Sequence, residues 1–286
     1  MRISVITPCF NSEKYIEETI ESVLSQRGDF EIEYIIIDGR SKDSTLDIVR
    51  KYKDWIESGK VSIKCNKVSF TYVSEEDEGL YDALAKGFRL VTGEVVAYIN
   101  SDDFYLPNAF STVTEIFGRY PDVEWLTGMI TSYNERGQII DCLLPFKFDR
   151  ASIQKGICGT ILPFIQQEST FWKRKLVNDL DLNLLKKHKF AGDFYLWYAF
   201  SKNTDLYIIY SCLGGFRYRP GQLSKQRDKY FNEFLSIAEK KSVTDVMLAY
   251  IYKVVTYLTP NVVKRILNKK IIYYDRSQWI KRSRDF

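Results

Sequence analysis

The chain of 286 residues contains one histidine, His188, and five cysteines that lack any Cys-x-x-Cys spacing. One histidine excludes a metal site built from several histidines and leaves room for only one His-based triad. Scattered cysteines indicate neither a disulfide framework nor a zinc site, so we expect a reducing, cytoplasmic location. The apolar run in residues 1–8 is too short for a signal peptide or a membrane span.

The chain has little excess positive charge, and it lacks glycine in the first polar loop, where many nucleotide-binding proteins have it. The 41 Lys and Arg against 37 Asp and Glu give a net charge of +4, which provides no case for nucleic acid as a partner. The first polar loop, "TPCFNSEKY", has no glycine, and no Walker lysine motif occurs. A glycine-rich phosphate cradle is therefore excluded, and we expect chemistry based on carboxylates and a hard metal ion.

The first third of the chain alternates between strand and helix patterns. Apolar runs separated by amphipathic helices predict an α/β fold with a mostly parallel sheet and helices on both faces. Asn11 or Ser12 is predicted to cap the first helix, and Ser41 or Asp43 the second. The four strands are "ISVITPCF", "IEYIIIDG", "FTYVSE" and "EVVAYIN", and two more strands are predicted on either side of the turn "NERG".

Polar residues follow each of the four strands, at positions 7–11, 38–41, 75–79 and 100–103. Parallel strands place such loops on one edge of the sheet, so we expect them to form one binding site. The adjacent Asp102 and Asp103 suit Mg2+ or Mn2+, which also binds diphosphate oxygens. Taken alone, the pair could instead cap the helix that follows.

Several segments resemble, in order and spacing, the successive blocks of bacterial family 2 glycosyltransferases. They are "VITPCFNSEKYIEETIESVLSQ", "IIIDGRSKDST", "EEDEGLYDALAKGF" and "TGEVVAYINSDD", followed by "QQESTFW" and "AGDFYLW". The resemblance implies a GT-A fold, a nucleoside diphosphate sugar donor, a divalent metal and inversion at the anomeric carbon. It also implies a catalytic domain over 1–241, with a donor half at 1–110 and an acceptor half at 111–241, before a helical, basic extension at 242–286.

The resemblance assigns the donor side to the first three polar loops. Thr7, Pro8 and Asn11 would line the nucleotide pocket, and Asp38 with Gly39 would read the nucleobase or ribose. Relatives usually have Asp-Asp-Gly-Ser where this chain has Asp-Gly-Arg-Ser, so one acid is missing. Asp82 would bind sugar or ribose hydroxyls, and Lys86 would pair with it one helical turn later.

The metal motif of the family is usually Asp-x-Asp-Asp, whereas this chain has Asn100, Ser101, Asp102 and Asp103. The resemblance then makes Asp102 the direct metal ligand, with Asp103 beside it. Asn100 and Ser101 would contact the sugar or the phosphates. The cofactor is expected to be Mg2+ or Mn2+.

On the acceptor side, the resemblance makes Asp193 the general base, although the residue could instead cap the helix after it. Gln167 and Glu168 would bind the acceptor or donor sugar. Trp172 and Trp197 could stack on sugar rings or belong to the core, and His188 is predicted to lie on the surface.

The segment "FRYRPGQLSKQR" resembles a lid that closes over the diphosphate. Its cations Arg219, Lys225 and Arg227 would offset the charge of the leaving group. The alternative is a solvated basic loop.

The tail beyond residue 242 is apolar and aromatic, and then basic. This pattern is typical of an amphipathic helix on an anionic inner-leaflet surface, and equally of a helix packed on the catalytic domain.

The sequence thus predicts an inverting glycosyltransferase that takes a nucleotide sugar, with UDP-sugars favoured, to a glycan or a lipid-linked acceptor. We expect it in the cytoplasm, with contact to the inner membrane face and self-association left open. A sugar-phosphate nucleotidyltransferase and a non-catalytic glycan- or nucleotide-binding module of the same fold remain alternatives.

Overall fold

The computed structural model describes residues 1–219, 222 and 226–282. Its strands are β1 (Arg2–Cys9), β2 (Arg27–Asp38), β3 (Lys64–Ser74), β4 (Val95–Tyr98), β5 (Phe104–Tyr105), β6 (Trp125–Thr127), β7 (Ile130–Tyr133), β8 (Ile139–Leu143), β9 (Thr170–Lys173), β10 (Leu206–Ile209), β11 (Gly214–Arg217), β12 (Ile271–Asp275) and β13 (Gln278–Ile280). Its helices are α1 (Ile16–Leu24), α2 (Thr45–Glu57), α3 (Leu80–Phe88), α4 (Ala109–Arg119), α5 (Arg150–Gln154), α6 (Lys175–Asn178), α7 (Leu182–Leu185), α8 (Gly192–Ser201), α9 (Arg227–Ile237), α10 (Val243–Leu258) and α11 (Asn261–Leu267), with a 3-10 turn at Gln167–Ser169.

Nine strands form the central sheet, in the order β13-β12-β10-β6-β9-β4-β1-β2-β3. Strands β1, β2, β3 and β4 are parallel, as are β6, β10 and β12, while β9 and β13 run antiparallel to their neighbours. The predicted α/β fold with a mostly parallel sheet is confirmed. A smaller sheet of β5, β11, β7 and β8 lies beside it.

Alternate residues of β2 pack into two different hydrophobic cores, one on each face of the sheet, because successive side chains of a strand point to opposite faces. Ile35 and Ile37 pack with buried residues of α3 and α8, whereas Tyr34 and Ile36 pack with those of α1 and α4. Helices therefore cover both faces. The continuous apolar run of β2 reflects this two-sided burial.

The predicted helix caps are wrong at both early helices. Helix α1 begins at Ile16, and Asn11 instead adopts a positive φ of 48°. The amide of Asn11 donates to the Ser41 hydroxyl at 2.8 Å, and its side-chain oxygen accepts from the Lys42 amide at 2.9 Å. Helix α2 begins at Thr45, beyond both predicted caps. The polar groups of Asn11 and Ser41 instead form hydrogen bonds between the first two loops, which lie side by side.

The predicted hairpin is confirmed as β7 and β8, which pair antiparallel around residues 134–138. The C-terminal extension is helical over α10 and α11, as predicted, and then adds a hairpin that the helical pattern did not indicate. Strand β12 of this hairpin pairs with β10 and extends the central sheet. Within the residues described, no helix combines the length and apolar character needed to cross a membrane.

Helix α3 packs directly on β1 through Gly87. A methyl group on Gly87 would lie 2.6 Å from Cγ2 of Ile6, whereas one on Gly118 in α4 would meet nothing within 4 Å. Gly87→Ala should therefore destabilise the fold by roughly 1–3 kcal/mol through overpacking. Gly118→Ala should stabilise it by roughly 0.5–1 kcal/mol, since alanine favours the helix. Urea unfolding measures both changes, and equal effects would contradict the close packing.

Candidate active site

The four polar loops meet at one edge of the central sheet, as predicted. The amide of Gly39 donates to the Cys9 carbonyl at 2.9 Å, and the amide of Glu75 donates to the Asp38 carbonyl at 3.0 Å. On the other side of β1, the amide of Ile99 donates to the Ile6 carbonyl at 2.9 Å. Backbone pairing therefore continues from the strands into the loops and fixes their relative positions.

Thr7, Pro8 and Asp38 are all buried within this edge. The Thr7 hydroxyl lies 3.1 Å from that of Tyr34. The Asp38 carboxylate accepts hydrogen bonds from the hydroxyl and amide of Ser41 and, at 2.6 Å, from the Ser74 hydroxyl. Asp38 thus supports the second loop and the start of the third, and its contact with a nucleobase or ribose stays a prediction.

Gly39 lets the second and third loops approach each other closely. A methyl group there would lie 2.6 Å from Oδ2 of Asp77. Asp77 accepts from the Gly79 amide at 2.9 Å, and burial raises the pKa of its carboxyl group. A side chain at position 39 would therefore separate the two loops.

The predicted pair of Asp82 and Lys86 is present at the start of α3. Lys86 Nζ lies 3.5 Å from Oδ2 of Asp82 and 3.1 Å from Oε1 of Glu75. Asp82 also accepts from the Glu78 amide at 3.1 Å. The lysine is thus held by two carboxylates at the sheet edge, and its contact with a donor remains a prediction.

The two acids after β4 do not cap a helix, because α4 begins only at Ala109. Asp103 is almost fully buried, and its Oδ1 accepts from the Arg217 amide at 2.8 Å. Burial and the neighbouring charges of Glu168 and Asp102 raise the pKa of Asp103 well above its usual range. The carboxylate of Asp102 pairs with Arg219, whose Nε lies 2.5 Å from Oδ2.

Arg217 is a site residue that the sequence analysis missed. Its guanidinium is 2% exposed, donates to the Asp102 carbonyl at 2.9 Å and pairs with Glu18 at 2.6 Å. The available signal was the spacing of Arg217 and Arg219, since residues two apart in an extended chain face the same side. Of the predicted lid cations, Arg219 reaches Asp102, Arg227 begins α9, and Lys225 lies outside the described residues.

The oxygen atoms after β4 suit a hard cation. Oδ1 of Asn100 is buried and has no hydrogen-bond partner among the groups the structure describes, while its Nδ2 donates to Asp103 and to Gln167, each at 3.3 Å. The Ser101 hydroxyl lies 2.7 Å from that of Ser12. In the same described part, no three His, Cys, Asp or Glu side chains are grouped to hold a metal ion. Asp102 and Asn100 offer oxygen atoms of the kind that Mg2+ prefers, and the role of Asp102 as a metal ligand stays a prediction.

Gln167 and Glu168 lie directly beside the acidic loop. Gln167 donates from Nε2 to the Tyr98 carbonyl at the end of β4. Glu168 is 3% exposed, and its Oε1 has no partner in the described portion of the chain. Burial raises the pKa of Glu168 to about 7, and the charges of Asp102 and Asp193 add to the rise. The unpartnered oxygens of Asn100 and Glu168 are acceptors that sugar hydroxyl groups can satisfy.

Asp193 is the second residue of α8 and does not cap it, since Ala191 holds the cap position. Its Oδ1 accepts from the Phe194 amide at 2.7 Å, and Tyr230 donates to both carboxylate oxygens at 3.4 Å. The hydroxyl of Tyr81 lies 3.5 Å from Oδ1. Burial raises the pKa of Asp193 to about 6. An aspartate of this pKa is deprotonated at neutral pH and can accept a proton.

Helix α9 is held over Asp193 by Glu233, a second residue that the sequence analysis missed. The Glu233 carboxylate accepts from the backbone amides of three consecutive residues at 3.0–3.2 Å and pairs with Nδ1 of His188 at 2.9 Å. The predicted surface position of His188 is wrong, since its side chain is 11% exposed. These contacts form because the loop before α8 folds around the carboxylate. The three amides belong to Lys189, Phe190 and Ala191.

Trp172 and Trp197 belong to the core. Trp172 is fully buried, and Trp197 stacks on Trp125 at a ring distance of 5.8 Å. Neither ring is available to stack on a sugar in this structure. The core alternative is confirmed for both.

Taken together, the sheet, the acidic loop at its edge and the aspartate on α8 define a protein of the GT-A glycosyltransferase class. The crystal structure of residues 1–349 of Staphylococcus aureus TarS has a similar fold, with a TM-score of 0.59 at 17% identity over 91% of this chain and 74% of that one. A mannosyltransferase from Pyrobaculum calidifontis, solved with GDP-Man and Mn2+, gives 0.55 at 16% identity over 90% and 70% of the two chains.

The chain belongs to glycosyl transferase family 2, whose model matches residues 4–198. An uncharacterized glycosyltransferase of Mycoplasma genitalium, MG025, is 24% identical over 94% of this chain and 86% of its own length. The putative teichuronic acid biosynthesis glycosyltransferase TuaG of Bacillus subtilis is 37% identical over 35% and 36% of the two chains. The predicted family and the fold class are therefore confirmed.

The hydrogen bond from Tyr230 gives a pH prediction. A hydroxyl that donates to a carboxylate stabilises the charged form, so Tyr230→Phe should raise the pKa of Asp193 further. A base works only when deprotonated. As the pH is lowered, the variant should therefore lose activity at a higher pH than the wild type does. The dependence of kcat/KM on pH measures this shift. Tyr198→Phe, which removes a hydroxyl that contacts Glu239 instead, should leave the profile unchanged, and equal profiles for all three proteins would contradict the prediction.

Proposed function

We propose that this protein is an inverting glycosyltransferase in which Asp193 is the general base. The observation that carries the proposal is the Asp193 carboxylate, which accepts from the Phe194 amide and Tyr230 and has a pKa raised to about 6, near Glu168 beside the acidic loop of Asp102 and Asp103. Asp193 accepts the proton of the attacking acceptor hydroxyl while the sugar leaves the nucleoside diphosphate. A single base of this kind is what a one-step displacement with inversion requires.

The donor is a nucleoside diphosphate sugar, with a UDP-sugar favoured. TarS, whose fold resembles this one, has been solved in complex with UDP-GlcNAc and with UDP. In this chain the donor lies along the sheet edge formed by the first three loops, with the diphosphate next to Asp102. The unpartnered oxygens of Asn100 and Glu168 accept hydrogen bonds from sugar hydroxyls, and Lys86 faces the same edge.

Asp102 holds Mg2+ or Mn2+ together with the donor diphosphate, and Asp103 keeps the loop in place through Arg217. A divalent cation at this position supplies charge that stabilises the departing nucleoside diphosphate. The Mn2+ complex of the Pyrobaculum mannosyltransferase supports this choice of metal. Arg219, which pairs with Asp102, would supply further positive charge beside the phosphates.

The acceptor is a hydroxyl group of a glycan or of a lipid-linked glycan, in surface polysaccharide synthesis on the cytoplasmic side of the membrane. The similarity to TuaG, named for teichuronic acid synthesis, supports an acceptor of this class. A poly(ribitol-phosphate) β-N-acetylglucosaminyltransferase, the TarS of Staphylococcus aureus, matches 36% of this chain at 34% identity. That match spans 17% of TarS, so it supports a transferase of this class rather than the whole activity of TarS.

Replacing the base tests the reaction directly. Asp193→Asn removes the proton acceptor and keeps the shape, so transfer should fall about 100- to 10,000-fold while donor binding stays nearly intact. Asp228→Asn on the exposed side of α9 is the matched control and should keep full activity. Transfer is followed as nucleoside diphosphate release, and donor binding by calorimetry. Full turnover by Asp193→Asn would show that the base is another group.

A calorimetric screen of UDP-, GDP- and dTDP-sugars, each with and without Mn2+, identifies the donor and tests Asp102. The donor should bind more tightly with Mn2+, and Asp102→Asn should lose that gain because the cation loses its protein ligand. The exposed Asp141→Asn, on strand β8, serves as the control for loss of one charge. An Asp102→Asn protein that keeps the full Mn2+ effect would place the metal elsewhere.

A further inference from the structure

Helices α10 and α11 leave a continuous apolar face exposed. Of the large hydrophobic side chains exposed in the described part of the chain, more than half belong to these two helices. Ile251 is 56% exposed, Val254 55% and Leu258 78%. Monomeric soluble proteins rarely expose apolar side chains in such a group, so this face is expected to contact something else. We call it the α10–α11 surface, formed by Met247, Ile251, Val254, Leu258, Val262 and Ile266.

The opposite sides of both helices are firmly attached to the catalytic domain. Ala249 is buried, and the Thr256 hydroxyl accepts from the Phe146 amide at 3.3 Å. In α11, the buried Lys264 donates to the Leu144 carbonyl at 2.9 Å. At 3.6 residues per turn, positions 249 and 256 lie on the side of α10 away from 247, 251, 254 and 258. The exposed face is therefore the outer side of well-packed helices.

The stretch of chain that forms this face carries cations and no acid. No aspartate or glutamate occurs between residues 246 and 274. Lys253 and Lys269 are exposed, and Arg282 donates to the Ile266 carbonyl at 3.3 Å beside α11. Two copies joined symmetrically through this face would bring these cations together, with no acid in the same stretch to balance them. An anionic surface, in contrast, would neutralise them.

We infer that the α10–α11 surface binds the protein to an anionic lipid membrane, with both helices lying in the plane of the headgroups. Apolar side chains with a rim of cations are typical of helices that bind the bilayer interface. Tyr250 and Tyr257, 55% and 57% exposed, lie along the edge of this face, and tyrosine is enriched at the depth of the headgroups. The binding itself is independent of the transferase reaction.

The surface lies next to the acceptor side of the candidate site, and this part of the inference rests on the proposed function. The segment from Leu144 to Cys158 connects the two. Its first residues contact α11 and α10, and Lys155 pairs with Asp245 of α10 at 2.7 Å. Its last residues, Ile153 and Cys158, line the small cavity beside Asp193. The helices that would lie on the membrane are therefore joined through one segment to the wall of the cavity beside Asp193.

Flotation of the full chain with vesicles tests the inference. The vesicles contain either phosphatidylcholine alone or phosphatidylcholine with phosphatidylglycerol. Wild-type protein should float with the anionic vesicles, and Ile251→Asp with Val254→Asp should reduce the bound fraction about tenfold or more, since two carboxylates enter the interface. The matched control is Ile139→Asp with Ile140→Asp on β8, where the side chains are 62% and 55% exposed. This control should float like the wild type.

Two further measurements separate the explanations. Lys253→Gln with Lys269→Gln should weaken binding to anionic vesicles several-fold and leave binding to phosphatidylcholine unchanged. Wild-type protein that never floats, or an Ile251/Val254 variant that floats as well as the control, overturns the inference. So does a wild-type dimer in light scattering that the Ile251/Val254 variant alone disrupts without any vesicle binding. Asp193→Asn should float normally, so a failure of the catalytic proposal remains distinguishable.

Discussion

Removal of carboxyl groups from water is the constraint on which the candidate site depends. Burial raises the pKa of Asp103, Glu168 and Asp193. The charges of Glu168 and Asp102 add to the rise at Asp103, and those of Asp102 and Asp193 add to the rise at Glu168. Charges of one sign away from water are stable only with protons or cations nearby. Arg217 and Arg219 supply two such cations in the protein itself.

Arg217 has a further consequence for the fold. Its strand, β11, belongs to the small sheet, while the acidic loop follows β4 of the central sheet. The buried guanidinium donates to the Asp102 carbonyl, and the backbone amide of Arg217 donates to Asp103, so the two sheets meet at the acidic loop. Removing one partner of a buried charged network is strongly destabilising. The position of the acidic loop and the pairing of the two sheets are therefore coupled.

The fold was largely predictable because it follows from local patterns. The apolar runs of β1, β2 and β4 and the helical spacing between them indicated a parallel sheet, and a parallel sheet places its loops on one edge. The helix caps were wrong because the side-chain oxygen of Asn11 accepts from the Lys42 amide and the Ser41 hydroxyl accepts from the Asn11 amide, across about 30 residues of sequence. The hairpin of β12 and β13 was not indicated, because its pairing with β10 depends on a strand more than 60 residues away.

The sequence by itself determined the sheet, the acidic loop after β4 and the family to which the chain belongs, since each rests on residues near one another in the chain. Tertiary structure decided the rest. It buried Trp172 and Trp197, placed Tyr230 on Asp193, and used Glu233 to bind the loop before α8. It also decided that α10 and α11 attach by one side and expose the other. These outcomes depend on contacts between distant segments, and local sequence patterns carry no information about which distant groups will meet.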